Sequence, residues 1–338
     1  MHRHGSCTNS HDSPLEQRHK NVWNRVVMGV QTSICILTYN RCDSVMAVIG
    51  SIYNLLDDST EIIVVDNDSS DDTRLNVTSR FEKARYYKTE KNVGASGRNI
   101  AFRNALGSVI ICLDDDVSGI TGETISRLHA RFRDNPVLGA VNFKVVDAFT
   151  GKICNWVHQC KVEDYYDKEF STYGITEGAV AFRKAALDRA GDYDDIFFIS
   201  HEGPDLAFRI MREGYDCIYW GDIAVSHRHE NAGRVSWLNY YYDTRNHIYL
   251  AAKNYPFKKA VRTLAIGLLS MLVYSIRDGY FRYWVKAVHD GMKNMPLILQ
   301  KRKVLPENVL KRIRAIDGNN APLLYKIKSR LFRKSARL

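Results

Sequence analysis

Between residues 33 and 113, short runs of β-branched and other apolar residues alternate with stretches of helical period. The runs cover residues 33–37, 61–66, 84–88 and 108–113. Apolar runs of this length, separated by helices, predict a parallel sheet covered on both faces. Their exits are polar: Thr38-Tyr39-Asn40-Arg41 follows the first, Asp66-Asn67-Asp68 the second, and Asp114-Asp115-Asp116 the last. In open α/β sheets ligands collect beyond the carboxyl ends of strands, so these exits are expected to line one crevice. After residues 138–145 the pattern becomes mixed, and further strands are expected at 176–183, 216–220 and 223–227, with helices over 206–212 and from Tyr240 onward. Residues 151–174, with scattered aromatics and charges, read as a long excursion over the sheet edge, suited to an acceptor-binding wall.

The acidic triplet at 114–116 carries the most chemistry. Three adjacent carboxylates repel one another and are expensive to gather where a buried strand surfaces, unless a cation or a hydrogen-bonding ligand neutralises them. The alternative is an acidic strand-end turn, since Asp favours turns and caps. Gly94-Ala95-Ser96-Gly97-Arg98-Asn99 opens a helix, but the chain lacks both GxGxxG after its first strand and GxxxxGK[ST]. Neither nucleotide fingerprint applies, which leaves a helix start with Arg98 beside it, suited to a polar or anionic ligand.

At 338 residues, 45% hydrophobic and 25% charged, the chain can bury a substantial core. Its first twenty residues are polar and rich in His and Ser, without an apolar h-region, and are expected to form a disordered tail within residues 1–30. Seven scattered cysteines without a CxxC pair suit a reducing cytoplasm. The charge is uneven: residues 257–338 hold 19 Lys and Arg against four Asp and Glu, a surplus of 15, so the rest carries −5 of the chain's net +10. Within that basic part, residues 264–276 are thirteen mainly apolar positions, short of the about 20 a bilayer span needs. With Tyr280, Phe281, Tyr283 and Trp284 and the cations beyond, residues 233–338 read as a basic, mainly helical region lying on an anionic membrane surface. The alternative is a helical subdomain packing an apolar stripe on the core. No nucleic-acid motif accompanies the charge, so no nucleic-acid partner is expected.

Taken in order, Ile34-Cys35-Ile36-Leu37-Thr38-Tyr39-Asn40-Arg41, Ile63-Val64-Val65-Asp66-Asn67-Asp68-Ser69-Ser70-Asp71, Asn92-Val93-Gly94 through Arg98-Asn99, and Leu113-Asp114-Asp115-Asp116 resemble the glycosyltransferases of family 2. These are inverting enzymes of the GT-A fold, a Rossmann-like, mostly parallel sheet flanked by helices. The resemblance, strongest to bacterial surface-polysaccharide members, implies a catalytic domain over residues 31–232. It places Thr38, Tyr39 and Arg41 around the nucleotide, Asp66 on the base, Arg98 beside the base or diphosphate, and Asp114 at the ribose. Asp116 would hold a divalent metal, Mn²⁺ or Mg²⁺, that bridges the donor diphosphate, with Asp115 supporting it through water. His227 stands where relatives place an extra metal ligand, which favours Mn²⁺ over Mg²⁺; His229 follows two residues later.

The resemblance continues into Phe198-Ile199-Ser200-His201-Glu202-Gly203-Pro204-Asp205-Leu206-Ala207-Phe208-Arg209, where the family carries an acidic segment supplying the base. Gly203 occupies the position of the second acidic residue. Glu202 is therefore the first choice for base and Asp205 the second, unless Asp205 caps its helix or pairs with Arg209. Arg245-Asn246 and Lys253-Asn254-Tyr255-Pro256 resemble a segment that closes the acceptor side. The implied activity is transfer of a sugar from a nucleotide-diphosphate donor to a hydroxyl of a glycan or polyprenyl-linked acceptor, at the cytoplasmic face of the cell membrane. Two alternatives are a non-catalytic nucleotide-sugar or membrane-binding module with a degenerate GT-A fold, and a sugar-phosphate nucleotidyltransferase.

Overall fold

The computed structural model describes residues 29–228, 237–322, 324 and 325. The expected N-terminal tail through residue 28, His229, and the basic terminus from residue 326 lie outside the described residues.

The four expected strands form one parallel half-sheet. In the order β3 (Arg85–Lys88), β2 (Thr60–Asp66), β1 (Thr32–Thr38), β4 (Val109–Asp114), they are followed by β8 (Ala179–Arg183), antiparallel to β4. The sheet goes on through β6 (Leu138–Asp147) and β9 (Asp216–His227) to the short β5 (Val117–Ser118), while β7 (Glu169–Ser171) pairs with β9. Alternation along the strands sends side chains to two cores. Ile34, Ile36, Ile62 and Val64 face one, with Val45 and Ile49 of the helix Cys42–Ile52 and Leu128 and Phe132 of the helix Gly122–Asp134. Cys35, Ile63 and Val65 face the other, with Ala101, Phe102 and Leu206. Register then aligns the polar exits: Thr38 lies opposite Asp66, and Leu37 opposite Asp114.

Two expectations change. The segments 216–220 and 223–227 are one twelve-residue strand, irregular where Phe143 and Lys144 of β6 pair with Trp220 and Ala224, so residues 221–223 bulge. The excursion 151–174 contains β7, and its aromatics are packed among themselves: the rings of Trp156, His158, Phe170 and Tyr219 meet at 4.9–6.0 Å. Tyr173 donates to Asp317 at 2.8 Å, fastening this segment to the helix Glu307–Asp317.

The C-terminal region is helical, and the helix Trp237–Asn254 carries it. Its Tyr249, Leu250 and Ala251 share a core with Phe197 and Phe208. Against it lie the helices Phe257–Arg277 and Phe281–Lys293. The first is 21 residues, so the thirteen-residue apolar run sits in a helix long and apolar enough, by length and composition alone, to cross a membrane. Its Ala260, Gly267, Met271 and Ser275 are buried, whereas Ile266, Leu269, Val273 and Ile276 are exposed. Among the described residues Cys35, Cys42, Cys112, Cys154 and Cys217 form no disulfide.

Burial holds the His158 imidazole down at about pKa 3, and burial with the neighbouring His247 does the same to His201. Both depressed groups are neutral in the native protein below the pH, about 6.5, at which an unfolded histidine takes its proton. Their stabilisation is complete above about pH 6.5 and is lost as pH falls towards 3, each at up to about 1.4 kcal/mol per pH unit. Unfolding midpoints in urea should therefore fall between pH 6.5 and about 4, and His158→Gln should flatten that slope by about one proton. An unchanged slope would mean that His158 is protonated in the folded chain.

Candidate active site

The triplet at the end of β4 is held by three cationic or imidazole groups from elsewhere in the chain. Asp114 pairs with the buried Arg98, which begins the helix Arg98–Asn104. Gly178, in the turn before β8, makes room for it: a Cβ there would overlap the Asp114 carboxylate. Asp115 accepts from Thr38 Oγ1 at 2.8 Å and from Arg41 Nη1 at 2.9 Å. Burial nevertheless pushes it up to about pKa 6, against the pull of Arg41 and Thr38. Asp116 accepts from Arg41 at 2.6 Å, and its other oxygen lies 2.8 Å from His227 Nε2. Burial opposes ionisation of Asp116, but His227 and Arg41 outweigh it and hold the carboxyl below the usual range. Thus Thr38, Arg41, Asp114, Asp115, Asp116 and His227 meet at one place, with Tyr39 exposed at the rim.

Asp116 and His227 suit a divalent cation. Asp116 Oδ1 is buried and makes no aligned hydrogen bond, although His227 Nε2 is close beside it. Donor atoms that each sit about 2.1 Å from a common ion stand roughly 3 Å apart, which is the spacing of this pair. His227 Nδ1 lies 3.1 Å from the Asn155 side chain, which orients the ring. No group of three His, Cys, Asp or Glu placed to hold a metal occurs among the described residues, so a cation here needs further ligands from a bound molecule.

At the β2 exit Asp66 is buried, with one oxygen accepting from Ser69 N at 2.7 Å and the other from Tyr86 OH. The β1 and β2 exits are laced together, since Asn40 N donates to Ser69 Oγ and Asn40 Oδ1 accepts from Ser70 N.

The acidic segment forms the first turn of the helix Glu202–Arg212, which starts earlier than its apolar pattern implies. Glu202 is buried, and its Oε2 has no hydrogen bond. Burial first, then the charge of Glu177, raises its pKa well above the ordinary value. Asp205 sits differently. Its oxygens accept from Lys253 at 2.9 Å, Asn254 at 3.0 Å and Arg209 at 3.0 Å, so the pairing alternative for this residue is the one observed. Asp205 ties its helix to Trp237–Asn254 and is fully buried.

The approach to Glu202 is strained. Phe198, Ser200 and His201 have φ of 63°, 74° and 66°, a region costing non-glycine residues about 1–3 kcal/mol each. Asn246 Nδ2 holds the loop by donating to the carbonyls of Phe197, Ile199 and Ser200, each at 2.7 Å, and Arg245 donates to those of Ile196 and Phe197. On the other side Phe198 O accepts from Ala95 N at 2.7 Å, where Gly94 leaves no room for a side chain. Arg245-Asn246 therefore sets the loop that presents Glu202. Sequence reasoning missed Glu177 and Gly178, which belong to no acidic cluster in the chain; only the absence at Gly203 signalled that a partner was needed.

Residues 33–191 match the model of the family described as glycosyl transferase family 2. An uncharacterized protein of Haemophilus influenzae is 27% identical over 171 residues, 47% of this chain and 90% of that protein. Among solved structures, S. aureus TarS 1–349 in complex with UDP-GlcNAc superposes with a TM-score of 0.55 at 18% identity, over 83% of each chain. The mannosyltransferase PcManGT of Pyrobaculum calidifontis, in complex with GDP-Man and Mn²⁺, gives 0.51 at 17% identity, over 93% of this chain and 89% of that one. At these identities the superpositions establish the fold, which is GT-A.

Gly178→Ala should displace Asp114 and leave Arg98 buried without its partner, destabilising the chain by roughly 2–4 kcal/mol in equilibrium unfolding. Gly122→Ala, at a position with open space around it, is the control and should change little. Equal stability of the two variants would show that Asp114 is not confined.

Proposed function

We propose, on the premise that the chain is a family 2 glycosyltransferase through its residues 33–191, that it transfers a sugar with inversion from a nucleotide diphosphate to a hydroxyl of a glycan or polyprenyl-linked acceptor. The observation that carries this reading is the buried Asp116–His227 pair at the crevice formed by the β1, β2 and β4 exits. Thr38, Tyr39 and Arg41 flank the nucleotide, and Asp66, through Ser69 and Tyr86, shapes the pocket for its base. Asp114 faces the ribose, while Arg98 holds Asp114 and adds positive charge near the diphosphate. Asp116 and His227 are the residues that would hold Mn²⁺ or Mg²⁺, with Asp115 behind them, and the bound ion supplies Lewis-acid neutralisation of the leaving group.

In the transfer, the acceptor oxygen attacks the sugar's anomeric carbon on the face opposite the diphosphate. The carbon–phosphate-oxygen bond breaks, and its electron pair leaves on the diphosphate. The acceptor's proton passes to the acidic site around Glu202. Asp205, engaged by Lys253, Asn254 and Arg209, is assigned to holding the helix.

The exposed face of the helix Phe257–Arg277 supports contact with a membrane. Ile266, Leu269, Val273 and Ile276 lie outward, with Lys258, Arg262 and Arg277 at its ends, which suits the anionic cytoplasmic leaflet. This supports a location in the cytoplasm, at the inner face of the cell membrane.

Two measurements test these readings. With Mn²⁺ and UDP-GlcNAc or GDP-Man, Asp116→Ala and Glu202→Gln should each lower turnover about 100-fold or more while the purified chain still unfolds cooperatively. Full activity in either variant refutes the role given to that residue, and wild-type binding without turnover would favour the non-catalytic alternative. Cosedimentation with phosphatidylglycerol vesicles should exceed that with phosphatidylcholine and fall in the Leu269→Glu/Val273→Glu variant. Equal binding in all cases would remove the membrane assignment.

A further inference from the structure

The space beside Gly203 is filled by another acid. A Cβ on residue 203 would overlap Glu177 Oε1 and stand 3.0 Å from both the Cβ and the carbonyl oxygen of Ile175. A side chain at 203 would therefore have to displace the carboxylate that reaches this space from the turn before β8. Glu177 is half-buried and Glu202 is buried beside it, close enough for their charges to interact. The groups facing the pair are Arg98, whose field reaches both, Asp243 on the Glu202 side, and the Tyr193 hydroxyl, buried without a hydrogen bond. Asp205 is excluded from the pair by its own contacts to Lys253 and Asn254.

We propose that Glu177 supplies the carboxylate that position 203 lacks, and that Glu177 and Glu202 form one acid–base pair for the transfer. This rests on the glycosyltransferase reading above. Two carboxyls crowded in a dry site cannot both ionise, so Glu202, the more buried, keeps a proton and Glu177 is the base. As the bond from acceptor oxygen to anomeric carbon forms, the hydroxyl proton moves to Glu177 Oε1. The bond to the phosphate oxygen breaks, and its electron pair departs with the nucleoside diphosphate. When water is the acceptor the same steps release free sugar.

The test uses the full chain with Mn²⁺, UDP-GlcNAc or GDP-Man, and water as acceptor, reading release of nucleoside diphosphate. If the wild type neither binds nor turns over these donors, the glycosyltransferase reading fails and this inference with it. Given wild-type turnover, Glu177→Gln should lower kcat about 100-fold, with donor KM and the thermal shift on adding UDP or GDP unchanged. Gly203→Asp alone should also be impaired, because its side chain must push the Glu177 carboxylate out of place. The double variant Glu177→Ala/Gly203→Asp should regain at least about tenfold over Glu177→Ala, since the carboxylate is returned from the other side. The inference is overturned if Glu177→Gln turns over within about threefold of wild type. It is equally overturned if the loss lies wholly in donor binding, or if the double variant is no faster than Glu177→Ala.

Discussion

The organising constraint is the mutual repulsion of carboxylates gathered where buried strands surface. Asp114, Asp115 and Asp116 are consecutive, and the latter two are buried. They coexist because Arg98, Arg41 and His227 converge on them from two other strand ends and a helix start. The sheet register makes that convergence possible, since it sets Leu37 opposite Asp114 and Val117 opposite His227. The crevice is thus a consequence of strand order, and its electrostatics follow from which cations the order delivers.

A second dependence runs through the helix Trp237–Asn254. Its Asn246 and Arg245 take up the carbonyls of a loop with three left-handed residues, and its Lys253 and Asn254 take up Asp205. Gly267 of the next helix leaves room for His247, letting the two helices approach closely. The basic C-terminal helices are thereby continuous in packing with the turn that presents Glu202.

Much of this was legible in the chain. The parallel strands and their polar exits followed from runs of two-sided burial, and the GT-A fold, with the family match over residues 33–191, followed from ordered short motifs. What escaped has physical reasons. Gly221 and Asp222 read as a break between strands, but a bulge lets β9 continue past them. The aromatics of 151–174 read as scattered along an excursion, but several of them pack ring against ring, a pairing that sequence spacing does not reveal. Asp205 carried an acidic pattern whose partners, Lys253 and Asn254, come from a later helix that local spacing does not reveal. Glu177 was silent because its meaning depends on a gap at Gly203, and gaps are visible only in three dimensions.

Arg41 bridges Asp115 and Asp116 with one nitrogen, so the acidic centre arrives with its own counter-ion. A cation held at Asp116, as proposed, would compete with this tethered guanidinium, and its apparent affinity would be the difference between two grips.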